Sequence, residues 1–126
     1  MAVCLVIDDE ALHREIDCFA MTLAGYDTCE AATAEDALTM CIDQMPDVIL
    51  LDLMMPGMNG LEFLVSLRAM DGGEKPCIMV CSAYGVSDVE EKARVAGANN
   101  FILKPFSSTM LKEKLSESGI TSQLNL

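Results

Sequence analysis

The sequence predicts an α/β fold, a parallel sheet with helices on both faces, and three observations carry that reading. Short apolar runs alternate with longer amphipathic stretches five times along the 126 residues, the pattern of strands joined by right-handed helical crossovers. Four of the runs end in charged or hydroxyl residues, at Asp8-Asp9, Asp52, Ser82 and Lys104. Ligands of open parallel sheets bind at that edge. The second run is more polar than the others, as suits an edge strand.

The elements follow in order. Residues 2–7 form an apolar run that reads as a strand buried on both faces, ended by Asp8 and Asp9. A first helix is expected from about Ala11 to Ala24, with Leu12, Ile16, Phe19, Ala20 and Leu23 as its buried stripe and Gly25 as its stop. Tyr26 to Ala31 is the polar edge strand. Thr33-Ala34-Glu35-Asp36 resembles a capping box and opens a second helix, which buries Ala34, Leu38, Cys41 and Met45 and ends at Pro46. The run Val48-Ile49-Leu50-Leu51 drives into Asp52 and then breaks into a loop rich in Pro, Gly and Asn. A third helix follows from about Leu61 to Met70, with Leu61, Leu64, Val65 and Leu67 inward. Pro76 introduces the strand that ends before Ser82, and Ser87-Asp88-Val89-Glu90 caps a fourth helix that stops at Gly97. Asn99 to Leu103 is the fifth strand. Ser107 or Ser108 caps a last helix carrying Leu111 and Leu115. The domain covers residues 1–119, with a short polar tail over 120–126. The strand order is expected to be 2-1-3-4-5, the flavodoxin-like doubly wound (βα)5 sandwich of three layers, which sets strands one and three side by side and brings Asp8, Asp9 and Asp52 together.

Composition limits the function. Eight basic residues against twenty acidic ones give a formal net charge of −12. Binding to nucleic acid or anionic membrane is therefore not expected, since both depend on Lys and Arg meeting phosphate. No apolar run approaches the roughly 18 residues of a membrane helix, and no secretory leader is evident. Cys4, Cys18, Cys29, Cys41, Cys77 and Cys81 form no CxxC pair, and most sit in apolar patterns as small hydrophobes. A reducing, cytoplasmic setting is the expectation.

The strand-end residues suggest chemistry. Three carboxylates forced together repel one another, and a hard cation with oxygen ligands, Mg²⁺ or Mn²⁺, relieves them. Asp52 can then act as a nucleophile toward phosphorus. Lys104 offers positive charge and Ser82 a hydrogen bond to phosphate oxygens.

These motifs together resemble the receiver domain of two-component response regulators. The matching elements are Val6-Ile7-Asp8-Asp9-Glu10, Asp52-Leu53-Met54-Met55-Pro56-Gly57-Met58-Asn59-Gly60, Ser82-Ala83 and Lys104-Pro105-Phe106. The resemblance implies that Asp52 takes a phosphoryl group from a phosphohistidine on a sensor histidine kinase or histidine phosphotransfer protein. It implies that Asp9, Asp52 and the backbone carbonyl of Met54 ligate the metal, with Asp8 acting directly or through water. Ser82 and Lys104 would contact phosphate, and the Lys104-Pro105 bond would be cis. Phe101 stands where the family's switch aromatic stands, often a Tyr. The implied signalling face is the fourth helix, fifth strand and fifth helix, read by a downstream protein target. Met54 and Tyr84 would flank the path of hydrolytic water and slow phosphate loss.

The resulting expectation is a signalling switch, monomeric or weakly dimeric on phosphorylation, that loads and slowly unloads itself and is not an enzyme of metabolism. Two other classes compete. A Mg²⁺-dependent phosphohydrolase would need an acid–base Asp where Met54 stands. A flavin binder would have to seat a phosphate against the acidic Asp8-Asp9-Glu10 loop. His13, the only histidine, reads as a helix-surface residue.

Overall fold

Five parallel strands lie in the order β2-β1-β3-β4-β5, and the sequence explains which pairs are central. The computed structural model describes residues 2–53, 60–82 and 87–117. In chain order the elements are β1 (Val3–Ile7), α1 (Ala11–Leu23), β2 (Asp27–Ala31), α2 (Ala34–Asp43), β3 (Val48–Asp52), α3 (Gly60–Arg68), β4 (Cys77–Ser82), α4 (Ser87–Ala96), β5 (Asn100–Leu103) and α5 (Ser108–Glu117). β1 and β3 are nearly all buried apolar residues and sit inside the sheet. β2, with two exposed acids in five residues, takes the edge.

Strand alternation sorts the core into two layers. Leu5, Ile7, Ile49, Leu51, Ile78 and Val80 face one way, against α2, α3 and α4 through Ala34, Ala37, Cys41, Phe63, Leu64, Leu67 and Ala93. Cys4, Val6, Val48, Leu50, Met79, Cys81 and Ile102 face the other way, against Ala20 and Met21 of α1 and Leu111 and Leu115 of α5. Of the stripe expected for α2, Ala34 and Cys41 are buried together with Ala37, Leu38 is half-buried, and Met45 lies past the helix end at Asp43, half-buried against the same layer. Thr33 caps that helix by accepting from the Asp36 amide at 3.0 Å, and Ser107 caps α5 by accepting from Met110 at 3.1 Å.

Two expectations of facing are corrected. In α1, Leu12, Ile16, Phe19 and Leu23 point to solvent, Leu12 and Phe19 being 65% exposed. The inward face is Asp17, Ala20 and Met21. The spacing of the large apolar residues does mark a stripe, but the small Ala20 and Ala24 are what let the helix approach the sheet closely. In α3, Val65 is exposed and Phe63 takes the core position instead. The six cysteines are free, and four of them are buried.

Gly60 opens α3 where a side chain would not fit. A Cβ there would lie 2.8 Å from the Leu53 Cα. This close approach sets the start of α3 against Leu53, the residue that leaves β3.

Candidate functional site

Register places the site. Ile7 pairs with Leu51 across β1 and β3, so Asp8 and Asp52 end neighbouring strands at the same level. Asp52 pairs with Cys81 and Ser82 with Leu103, so Ser82 and Lys104 end the next two strands at that edge. Asp8, Asp52 and Lys104 share the alternation phase of Val6, Leu50 and Ile102, the layer that faces α1 and α5.

The carboxylates of Asp8, Asp9 and Asp52 converge, each offering an oxygen within 4.8 Å of the others. Asp8 is buried, Asp9 exposed and Asp52 half-buried. Asp8 is held by several donors. Its Oδ1 accepts from the Glu10 amide at 3.0 Å, its Oδ2 accepts from Lys104 Nζ at 2.8 Å, and its backbone carbonyl accepts from Arg14 at 2.8 Å. Arg14 also pairs with Glu30 of β2 at 3.2 Å, which fastens the turn after β1 to the edge strand. Burial pushes the Asp8 carboxyl up, but the Lys104 and Glu10 hydrogen bonds and the Lys104 and His13 charges outweigh it and hold Asp8 below its ordinary value. Burial likewise disfavours the Lys104 ammonium, and the hydrogen bond it donates to Asp8, with the charges of Asp17 and Asp8, overcomes it, so Lys104 is held above its usual range.

Asp17, Arg14 and Arg94 are functional-region residues that sequence reading did not single out. Asp17 Oδ2 lies 3.9 Å from Lys104 Nζ. It is 5% exposed, and burial pushes its carboxyl up to about 6, opposed by Lys104 and reinforced by Asp8. The signal was present: an acid followed at three, four and seven residues by Ala20, Met21 and Ala24 is on a helix face of small and apolar residues. His13 is more than a surface residue, since its ring lies 3.7 Å from Asp8 and 3.5 Å from Glu10. A cleft of about 330 Å³ lined by His13, Ile16, Asp17, Lys104, Pro105 and Phe106 opens beside these groups. The Lys104-Pro105 bond is cis.

Phe101 is half-buried and packs on the layer of α2, α3 and α4. The Arg94 guanidinium lies 5.4 Å from its ring centroid, within cation–π range. The Ser82 side chain, Met54 with its carbonyl, Tyr84 and the tail over 120–126 lie outside the described residues. Among the described residues no helix is long and apolar enough to cross a membrane.

Known proteins resemble the chain in sequence and in fold. Residues 4–116 match the response regulator receiver domain. The chain is 34% identical over 114 residues to the chemotaxis protein CheY of Thermotoga maritima, covering 90% of this chain and 93% of that protein. It is 36% identical over 111 residues to the phosphate regulon transcriptional regulatory protein PhoB of Pseudomonas aeruginosa, covering 88% of this chain and 48% of that one. The chain thus spans about half the length of that relative. The chemotaxis protein CheY4 of Vibrio cholerae superimposes with a TM-score of 0.88 at 27% identity, over 94% of this chain and 98% of the other. Strand order, the acidic cluster at the sheet edge and the match over nearly all of its length agree, and the chain belongs to the response regulator receiver domain family.

Proposed function

We propose that Asp52 accepts a phosphoryl group from a phosphohistidine on a sensor histidine kinase or histidine phosphotransfer protein, and that a protein partner reads the loaded state on the surface of α4, β5 and α5. The observation that carries this reading is the convergence of Asp8, Asp9 and Asp52 oxygens within 4.8 Å beside a lysine hydrogen-bonded to one of them.

An all-oxygen donor set with partial exposure suits Mg²⁺ or Mn²⁺, held by Asp8, Asp9 and Asp52, with the Met54 carbonyl added from the family resemblance. When bound, such an ion supplies the positive charge that lets a phosphoryl anion approach a carboxylate. An Asp52 oxygen then attacks phosphorus. The phosphorus–nitrogen bond breaks with its electron pair on the imidazole, and an acyl phosphate forms on Asp52. Lys104 turns donors toward the phosphoryl oxygens, and Ser82 supplies a further donor. Water later bonds to phosphorus, the bond to the Asp52 oxygen breaks, and inorganic phosphate leaves. The chain is thus a switch that returns to its start rather than a turnover enzyme. Phe101, gripped by Arg94 of α4, is the proposed link between the phosphorylated edge and the reading surface. The exposed Leu12, Ile16, Phe19 and Leu23 of α1 give a donor protein an apolar face beside the site.

Acetyl phosphate with Mg²⁺, followed by intact mass, tests the reading. One phosphoryl increment is expected on the wild type and none on Asp52→Ala or with chelator. An increment retained by Asp52→Ala refutes the assignment. Phosphate loss from wild type against Met54→Asn and Tyr84→Ala checks the expected long-lived state, which fails if neither substitution speeds loss.

A further inference from the structure

The phosphoacceptor reading accounts for Asp8, Asp9, Asp52 and Lys104 and leaves one charged group in the same neighbourhood without a task. Asp17 is a carboxylate on the inward face of α1, 5% exposed, among Ala20 and Met21. Among the described residues its polar partner is Lys104, at 3.9 Å, too long for a hydrogen bond. A buried carboxylate in that state is a poor device for stability. Lys104 has three donor hydrogens. One goes to Asp8 at 2.8 Å, and the ammonium is drawn toward Asp17 by charge. Asp8 faces it from the end of β1 and Asp17 from α1.

Resting on the phosphoacceptor reading, we propose that Asp17 is a positioning residue that competes with the phosphoryl group for the Lys104 ammonium and so restrains loading of Asp52. An incoming phosphoryl group needs the donors of Lys104, and a second anion beside that ammonium both retains it and makes the site less welcoming to phosphate. Protonation of Asp17 releases the restraint. The cleft lined by His13, Asp17, Lys104 and Phe106 gives solvent a route to the carboxyl, so the proton arrives without unfolding. The groups that set this equilibrium are Lys104 after β5, Asp8 after β1, His13 on α1, Asp52 on β3 and, at the end of β4, the buried Cys81.

The test is the initial rate of phosphorylation by acetyl phosphate, read by intact mass at saturating Mg²⁺, for wild type, Asp17→Asn and Asp17→Leu across the pH range. In that reaction an Asp52 oxygen bonds to phosphorus and acetate leaves with the electron pair of the broken bond. The ratio of variant to wild type cancels the reagent's own pH dependence. Both variants are expected to load about three- to tenfold faster than wild type near pH 8, with the ratio falling toward one near pH 5 as wild-type Asp17 takes its proton. A merely structural role for Asp17 gives a ratio that does not change with pH. A constant ratio, or slower loading by both variants, overturns the proposal while leaving Asp52 as acceptor. If no protein gains a phosphoryl increment, the underlying reading falls and takes this inference with it.

Discussion

Asp17 raises the energy of the folded chain wherever it is ionised. Its carboxyl rises from 3.8 to about 6 on folding, mainly through burial. A raised carboxyl favours the fold fully below the unfolded value, and that advantage is lost as pH climbs through about 6. Near pH 7.5 the fold therefore carries a penalty on the order of 3 kcal/mol at this residue. Asp17→Asn is expected to be more stable than wild type there by a similar amount, and the difference should vanish near pH 4. Urea unfolding of both proteins at several pH values checks the slope. Tyr26 is a second strained residue. Its hydroxyl is buried with no hydrogen-bond partner among the described residues, and burial pushes it up to about 12. Tyr26→Phe removes an unsatisfied donor and keeps the ring, so a gain of about 1 kcal/mol is expected in the same assay. The contrast with Asp52 shows what a sequence reveals at this scale. Asp8 and Asp52 each interrupt an apolar run, a break visible in one dimension. Asp17 interrupts nothing, because the face it shares becomes inward only once the helix is docked.

Elements fail to be legible where two faces of a helix compete. In α1 the large residues Leu12, Ile16, Phe19 and Leu23 give the stronger periodic signal, and it points outward. The stripe that docks is shorter, Asp17, Ala20 and Met21 with Ala24 at the helix end, and the small alanines let it approach the sheet closely. Strands leave less choice, since a buried strand is apolar on both faces and β1, β3 and β4 have no second face to present. An outward stripe has a consequence for the proposed donor. Phe19→Ser should leave loading by acetyl phosphate unchanged and slow transfer from a phosphohistidine protein by about tenfold, as befits an exposed aromatic anchor at an interface. Equal slowing of both donors would remove α1 from the docking surface. A different logic holds the far side together. Arg68 ends α3 and donates to the carbonyls of Gly97 at 2.7 Å, Gly73 at 2.8 Å and Pro76 at 2.9 Å, and to the Asn99 side chain at 2.9 Å. Gly97 has φ of +121, and a Cβ there would meet the Arg68 side chain at 2.7 Å. One planar fork thus ties α3, the entry to β4 and the turn from α4 into β5. Arg68→Ala leaves several half-buried carbonyls unpaired and is expected to cost about 3 kcal/mol. Arg68→Lys should recover little, because an ammonium cannot reproduce the fork. Chemical denaturation measures both.

Across the whole molecule, topology and charge act together. The 2-1-3-4-5 order puts the ends of β1 and β3 beside each other, so a doubly wound sheet assembles Asp8, Asp9 and Asp52 whatever their mutual repulsion. That order was legible from the polar β2 and the apolar β1 and β3. The pairing of Lys104 with both Asp8 and Asp17 was not, since it depends on how α1 lies against the end of β5. A chain of net charge −12 that gathers three of its acids at one point is destabilised there, and a divalent ion that binds only the folded arrangement must stabilise the fold. At about one hundred times its dissociation constant, Mg²⁺ is expected to raise the unfolding free energy by about 2.7 kcal/mol. NaCl matched in ionic strength should reproduce only the general screening of surface charge. Asp9→Asn and Asp52→Asn each remove a ligand and one repelling charge, so both should be more stable than wild type without Mg²⁺ and gain less when it is added. Thermal unfolding with and without Mg²⁺ measures the crossing of the two effects. Equal gains in Mg²⁺ for wild type and both variants would place the ion elsewhere on the acidic surface and would separate the carboxylate cluster from metal binding.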